Sequence, residues 1–175
     1  MRMIAAALLG AIFLFPCLPA DVGADEKPVQ LALFDPAQVF PSDTSVRGVR
    51  LNLLYGYNQD MVGLDLGLVN RTAGVTKGLQ HGGVGLVESD FVGWQDNFVN
   101  VTKGSFQGLQ SGAFNSVGSG EGVQFGVLNV ADHVHGLQLG LLNVTNTLEG
   151  LQIGLLNVAS GKESLPVLPI VNWSF

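Results

Sequence analysis

The chain has 175 residues, a formal net charge of −6 at pH 7, 24 glycines and one cysteine. Hydrophobic residues make up 47% of it and charged residues 13%, which excludes a disordered acidic tail. A single cysteine excludes a disulfide scaffold, and the negative balance argues against nucleic-acid binding. The length allows one domain.

Residues 1–24 have the form of a secretory signal peptide. Arg2 precedes an uncharged apolar run at residues 4–15, which is shorter than the ~20 residues of a membrane-spanning helix. Small residues at Val22 and Ala24 predict cleavage after Ala24, with Ala20 as the less favoured site. The mature chain would then lack Cys17, which excludes thiolate chemistry.

Residues 25–47 form an N-terminal segment that differs in pattern from the rest of the chain. Alternating residues 29–34 predict a first strand, and Pro36 and Pro41 mark turns after it. We expect this segment to cap the array, because terminal units of a repeat array differ from internal ones.

Residues 48–160 contain eight copies of a 14–15-residue unit. The clearest copies read GLQLGLLN from Gly136 and GLQIGLLN from Gly150. The leading glycine of each copy is column zero, and the eight are Gly48, Gly63, Gly78, Gly93, Gly108, Gly122, Gly136 and Gly150. Column two is mostly Gln, column four mostly Gly and column seven mostly Asn.

Three columns are apolar, and they lie about five residues apart. Column one is apolar in every copy, as is column six, which we assign to Leu54, Val69, Val84, Val99, Phe114, Leu128, Leu142 and Leu156. The third, here called the pre-glycine column, comprises Met61, Phe91, Phe106, Val134 and Leu148, with Thr76 and Gly120 as exceptions. Helices need apolar residues every three or four positions, so this spacing and the local alternation predict strands.

Two all-β architectures fit the repeat. In the first, each copy is one coil of a parallel β-solenoid, with columns one, three, six and eight pointing inward. Equivalent residues would stack about 4.8 Å apart, so that Gln and Asn form ladders from coil to coil. This architecture explains why polar columns repeat as faithfully as apolar ones, and we favour it.

The alternative is a small antiparallel up-and-down barrel in the outer membrane, with one strand per copy. The export signal, the alternation and the terminal Phe175 favour it. However, His81, Asp96 and Ser111 interrupt the lipid face in three consecutive copies, and the loops are uniformly short. Asp96 is awkward for both architectures, because an unpaired buried carboxylate is costly.

Residues 161–175 end the chain with an apolar segment that contains Pro166 and Pro169. Because proline lacks the amide donor, this segment cannot pair fully as a central strand. It is predicted to be a C-terminal cap that closes the core, or the closing strand of a barrel.

The GLQxGLxN repeat with the LPxLPIVNWSF ending resembles a family of bacterial surface-repeat proteins of unknown function. The resemblance covers residues 28–175 and implies a cell-surface or envelope location. That family has no assigned catalytic residues, so the resemblance transfers no site. Weaker similarities to pentapeptide-repeat coils and to the curli repeat do not indicate a function.

Two residue clusters are candidates for chemistry. His133 and His135, beside Asp132, could hold zinc, but a structural zinc site needs four ligands. The acids Glu88, Asp90 and Asp96 could form a general acid–base pair, although nothing orients them. We therefore expect no catalytic, cofactor or metal site and no enzymatic activity.

Column five carries an apolar stripe that the solenoid would leave exposed. It comprises Leu53, Leu68, Phe98, Val127, Leu141 and Leu155. Such a stripe exceeds the ordinary scatter of surface hydrophobes and could dock a membrane, a partner or a second copy. The sequence thus predicts an exported, non-enzymatic envelope protein acting as a structural or binding surface, with an outer-membrane barrel as the alternative.

Overall fold

A computed structural model describes residues 26–175, which form a parallel β-solenoid. The predicted signal peptide and Cys17 lie outside the described residues. The strands are β1 (Glu26–Phe34), β2 (Ala37–Gln38), β3 (Ser45–Asn58), β4 (Met61–Thr72), β5 (Thr76–Val87), β6 (Phe91–Ala159) and β7 (Val167–Ser174).

Successive coils pair in parallel and in register, one repeat apart. Gly63 lies opposite Gly48, and Gly78 lies opposite Gly63, so the leading glycines stack. β6 has 69 residues and continues to wind, with side-chain hydrogen bonds joining residues 14 or 15 apart. Parallel neighbours are incompatible with an up-and-down barrel, so the barrel alternative is wrong.

The leading glycines form a corner that other residues could not occupy. All eight have φ between 127° and 151°, a region that L side chains rarely adopt. A Cβ atom on Gly136 would lie 2.1 Å from the carbonyl oxygen of Gly122 in the preceding coil. Column zero is therefore glycine in every copy because the coils touch through their backbones there.

The prediction that columns one, three, six and eight point inward is wrong. Columns two, seven and nine and the pre-glycine column are mostly buried, whereas columns one, three, six and eight are exposed or half-buried. The reason is steric: column four shares the face of column two, and a Cβ on Gly126 would lie 2.2 Å from the Gly112 carbonyl oxygen. The glycine-bearing face must therefore be the crowded inner one.

The apolar core is correspondingly small and lies at one side of the coil. It joins column nine to the pre-glycine column and contains Val87, Phe91, Phe106, Val117, Ala131, Val134, Leu148 and Ala159. The rings of Phe91 and Phe106 stack with their centroids 5.7 Å apart. Most of the remaining interior is filled by polar side chains, chiefly amides.

A register shift in β3 corrects one column assignment. Between Asn52 and Tyr55 the strand carries one extra residue, so that Tyr55 pairs with Val69. Tyr55, not Leu54, therefore occupies column six, and Leu54 lies outside, 48% exposed.

Both ends of the sheet are formed by strands outside the repeat. At the N-terminal end β1 pairs in parallel with β3, and β2 lies antiparallel on β1. At the other end β7 is antiparallel to the last coil, with Ile170 opposite Gly154 and Trp173 opposite Leu151. Within residues 26–175, no helix has the length and hydropathy needed to cross a membrane.

Candidate functional site

A continuous ladder of buried glutamines runs along the solenoid axis at column two. Each side-chain amide donates to the side-chain oxygen of the preceding coil at 2.7–2.9 Å. The members are Gln80, Gln95, Gln110, Gln124, Gln138 and Gln152. The sequence predicted such ladders, and burial makes each bond costly to break, because the amides have no water to replace it.

A carboxylate lies at the donor end of this ladder, and an ammonium group lies near its acceptor end. At its donor end Gln80 donates to the Asp65 carboxylate at 2.9 Å. At its acceptor end Asn172 donates to Gln152 at 3.1 Å, and the Lys162 ammonium donates to Asn172 at 2.8 Å. The aligned amides thus point their N–H groups at an anion and their oxygens toward a cation. These two charges stabilise the hydrogen-bonded ladder.

Asp65 is itself paired with Arg50, which sequence analysis missed. The guanidinium of Arg50 donates two bonds of 2.7 Å to the carboxylate, and both side chains are fully buried. Arg50 also donates to the carbonyl oxygen of Arg71 at 2.9 Å. Opposite charges at column two of consecutive copies were the available signal for this ion pair.

A second ladder, of asparagines at column seven, runs in the opposite direction. Each amide donates at 2.8 Å to the next coil, through Asn100, Asn115, Asn129, Asn143 and Asn157. Where column seven is glycine, an inward asparagine of column four fills the space: Asn52 lies against Gly56 and Asn97 against Gly85. The interior is therefore polar. Where column seven lacks an amide, an asparagine in column four supplies one.

The apolar side chains lie on the outside as a consequence. The column-five stripe is exposed as predicted, from 53% at Val127 to 71% at Phe98 and Leu155. Columns one and three flank it on one side and columns six and eight on the other. The result is a ridge, at column five, between two largely apolar faces.

A groove lies beside this ridge, because column four points inward and leaves a gap. In the last four coils its volume is about 860 Å³, and its floor is glycine. The ridge and column three form its walls, and Ile170 of β7 closes it, held at φ 67°. A second stretch of about 530 Å³ lies at the N-terminal end, between Leu31, Leu33, Leu51, Leu53 and Leu66.

A polar cluster separates the two stretches of groove. The Asp96 carboxylate contacts His81 Nδ1 at 2.9 Å and accepts a hydrogen bond from Ser111 Oγ at 2.5 Å. Trp94 Nε1 donates to Ser111 Oγ at 3.0 Å. Asp96 is therefore hydrogen-bonded and lies on the outer face. The solenoid does not bury an unpaired carboxylate at this position. Ser111 donates to the Asp96 carboxylate and not to the His81 imidazole, so these residues do not form a serine–histidine pair.

The three candidate acids have separate partners. Glu88 pairs with Lys103 and with Arg71 at 3.0 Å, and hydrogen bonding to Lys103, more than to Arg71, lowers the pKa of its carboxyl. Asp90 accepts two bonds of 2.7 Å from Ser105, which lower the pKa of Asp90. Both groups are held ionised as structural acceptors, since a depressed pKa does not suit a general acid.

Two of the three candidate zinc residues, His135 and Asp132, are partnered elsewhere. His135 faces Glu149, with Nδ1 3.7 Å from the carboxylate, and Asp132 accepts a bond from Asn146 at 3.1 Å. In the part of the chain that the structure describes, no three His, Cys, Asp or Glu side chains are grouped as metal ligands. The described residues thus present an interaction surface as their main candidate site.

The comparisons with known proteins add no evidence about this candidate surface. No family model, curated protein or solved structure matches the chain.

Proposed function

We propose that the chain is an exported, non-enzymatic protein of the bacterial envelope that serves as a structural element and binds through its apolar outer surface. The observation that carries this proposal is the inverted arrangement of polarity. Amide side chains fill much of the interior, while the six apolar side chains of the column-five stripe stand more than half exposed. Surface hydrophobes aligned along an axis indicate an interaction site.

The fold provides a rigid support for such a surface. Backbone pairing joins neighbouring coils, and the two ladders add side-chain hydrogen bonds between coils from Gln80 and Asn100 onward. The position of the apolar groups is therefore fixed before binding, which reduces the entropic cost of association.

Charged side chains are concentrated on the side away from the ridge. They occupy the position before the leading glycine and the turns, as at Lys77, Lys103, Glu121, Asp132 and Glu149. This side suits contact with solvent, and the ridge side suits contact with a partner. Segregation of this kind distinguishes a binding surface from general surface hydrophobicity.

Location is tested by expressing the full-length sequence in a bacterial host and fractionating the cells. We expect the protein in the envelope or extracellular fraction, with an N-terminus that begins after Ala24. An unprocessed protein in the cytosol would contradict the proposal.

The binding surface is tested by chromatography of the exported protein on a phenyl matrix. Leu141→Ser and Leu155→Ser should elute earlier than wild type with unchanged β-type circular dichroism. Thr147→Ser, an exposed polar change outside the stripe, is the matched control. Unchanged retention in the leucine variants would show that the ridge is not the adhesive surface.

A further inference from the structure

We infer that the groove of the last four coils binds a single-chain cationic amphiphile, with the ammonium head at Asp96 and the hydrocarbon chain over the glycine floor. The inference rests on the proposed function, since it names a ligand class for the same surface. It is carried by the position of one carboxylate at the open end of an apolar groove whose other end is closed.

Asp96 carries the only formal charge at pH 7 on the outer face that columns one, three and five form in residues 48–160. Its side chain is 35% exposed, and its ion-pair contact is to His81. Among the described residues, no lysine or arginine pairs with this carboxylate. A ligand that covers the face must therefore bring a positive charge to Asp96, because removing an uncompensated carboxylate from water is costly.

Two aromatic side chains stand beside this carboxylate. Trp94 and Phe98 lie two residues before and two residues after Asp96, on the same face of the strand, and are 47% and 71% exposed. Trp94 Nε1 donates to Ser111 Oγ at 3.0 Å, which holds the indole diagonally across the sheet toward the next coil. Exposed aromatic rings around a carboxylate favour an organic ammonium group, which gains cation–π contacts as well as an ion pair.

The groove extends from this position in one direction only. Toward the C-terminal end, the next coil carries Ala113 on column five, and the groove begins at Gly112 and Ala113. Toward the N-terminal end, Leu68 occupies the space beside Gly83, where an added Cβ would lie 3.1 Å from Leu68 Cδ1. Ile170 closes the far end. A ligand with its head at Asp96 thus has one path for its chain.

The groove offers no polar side chain to that chain, since all its lining residues are apolar or glycine. The carbonyl oxygens of Phe125, Leu139 and Ile153 on its wall already accept bonds of 2.9–3.0 Å from interior asparagines. A peptide laid in the groove would leave its backbone amides without partners, which is unfavourable. A hydrocarbon chain has no such groups, so the groove selects an alkyl chain over a peptide.

The dimensions suit one chain of moderate length. The walls stand on columns three and five, roughly 7 Å apart at 3.3 Å per residue, which is too narrow for two chains. Four steps of about 4.8 Å lead from the coil of Asp96 to the coil of Gly154, or roughly 19 Å. An extended chain advances about 1.2 Å per bond, so about 12–16 carbons reach from the head to Ile170.

The first experiment measures binding to the exported protein by isothermal titration calorimetry, with dodecylammonium and the uncharged dodecyl maltoside, each below its critical micelle concentration. We expect dodecylammonium to bind about tenfold more tightly. Asp96→Asn should remove this difference without changing the circular dichroism spectrum, whereas Asp132→Asn, which removes an exposed carboxylate outside the face, should keep it. Dodecylammonium that binds no more tightly than dodecyl maltoside would overturn the inference. Retention on the phenyl matrix would then show that the proposed function still stands.

The second experiment places the chain, with a series of alkylammonium ions from butyl to octadecyl. Affinity should rise about two- to fourfold per methylene and level off at about 12–16 carbons. Ile170→Gly, which opens the closed end and suits the φ of 67°, should extend the rise to longer chains. Ala113→Leu, which fills the open end, should abolish the rise. Butylammonium that binds as tightly as dodecylammonium would show a cation site without the groove and overturn the inference.

Discussion

Replacing Arg50 by glutamine should destabilise the solenoid far more than replacing Arg50 and Asp65 by glutamine together. Arg50→Gln removes both 2.7 Å bonds to Asp65 and leaves a fully buried carboxylate. Gln80, at 2.9 Å, would then be the main remaining hydrogen-bond donor to Asp65. Removing one member of a buried ion pair costs about 3–5 kcal/mol, and we expect a loss of that size.

The double variant should recover most of this loss because it completes the ladder. The glutamine introduced by Asp65→Gln would accept from Gln80 and donate to the glutamine introduced by Arg50→Gln, in the pattern of every later coil. The remaining deficit is the loss of the Arg50 bonds to the Arg71 carbonyl oxygen at 2.9 Å and to Thr72 Oγ1 at 3.2 Å, worth about 1–2 kcal/mol together. We therefore expect the double variant within about 1–2 kcal/mol of wild type, and a coupling energy of at least about 2 kcal/mol between the two sites.

The assay is urea unfolding of the exported protein, followed by circular dichroism, for wild type, both single variants and the double variant. Asp65→Gln alone is the matched control, since it leaves the Arg50 charge buried without its carboxylate. A double variant as unstable as Arg50→Gln would refute the reasoning, because the two positions would then not be interchangeable with ladder glutamines.

Three further variants test the interior and the surface charges. Gly136→Ala should prevent folding or cost more than about 3 kcal/mol, as its φ is 143° and its Cβ would meet a carbonyl oxygen at 2.1 Å. The control Gly120→Ala, whose nearest atom would be a methyl carbon at 3.2 Å, should lie within about 1 kcal/mol of wild type by thermal unfolding. Gln124→Leu should cost about 2–4 kcal/mol in urea, because it strands one donor and one acceptor; a neutral result would contradict the ladder. Glu88 contributes stability above its ordinary pKa of 4.5, which is lost as pH falls through its lowered folded pKa, so Glu88→Gln should flatten the acid limb of a pH–Tm profile.

The repeat could be recognised from sequence because backbone contact between coils leaves a periodic trace. A corner at φ near +130° in direct contact with the next coil accepts only glycine, and column zero records this at each of the eight corners. Parallel stacking places like beside like, so the Gln and Asn columns indicated both the solenoid and its ladders. The exposure of column five was also predicted correctly, although columns one and three were placed inside.

Which face lies inside was decided by the tertiary structure, and there the sequence prediction failed. Alternation shows that columns one and three share a face, but it does not show whether that face points inward or outward. Hydrophobicity favoured leucines inside, whereas the crowding at Gly126 and the bonds among the amides require the opposite. The Arg50–Asp65 pair and the cluster around Asp96 likewise join residues of neighbouring coils.

The sequence by itself determined the period, the strand class and the presence of ladders, because each depends on repetition along the chain. The tertiary structure alone decided that polar groups face inward and apolar groups outward, and hence where a partner can bind. The physical reason is that an inward amide gains a hydrogen bond from the coil above and another from the coil below, whereas an outward leucine gains its burial only when a second surface covers it.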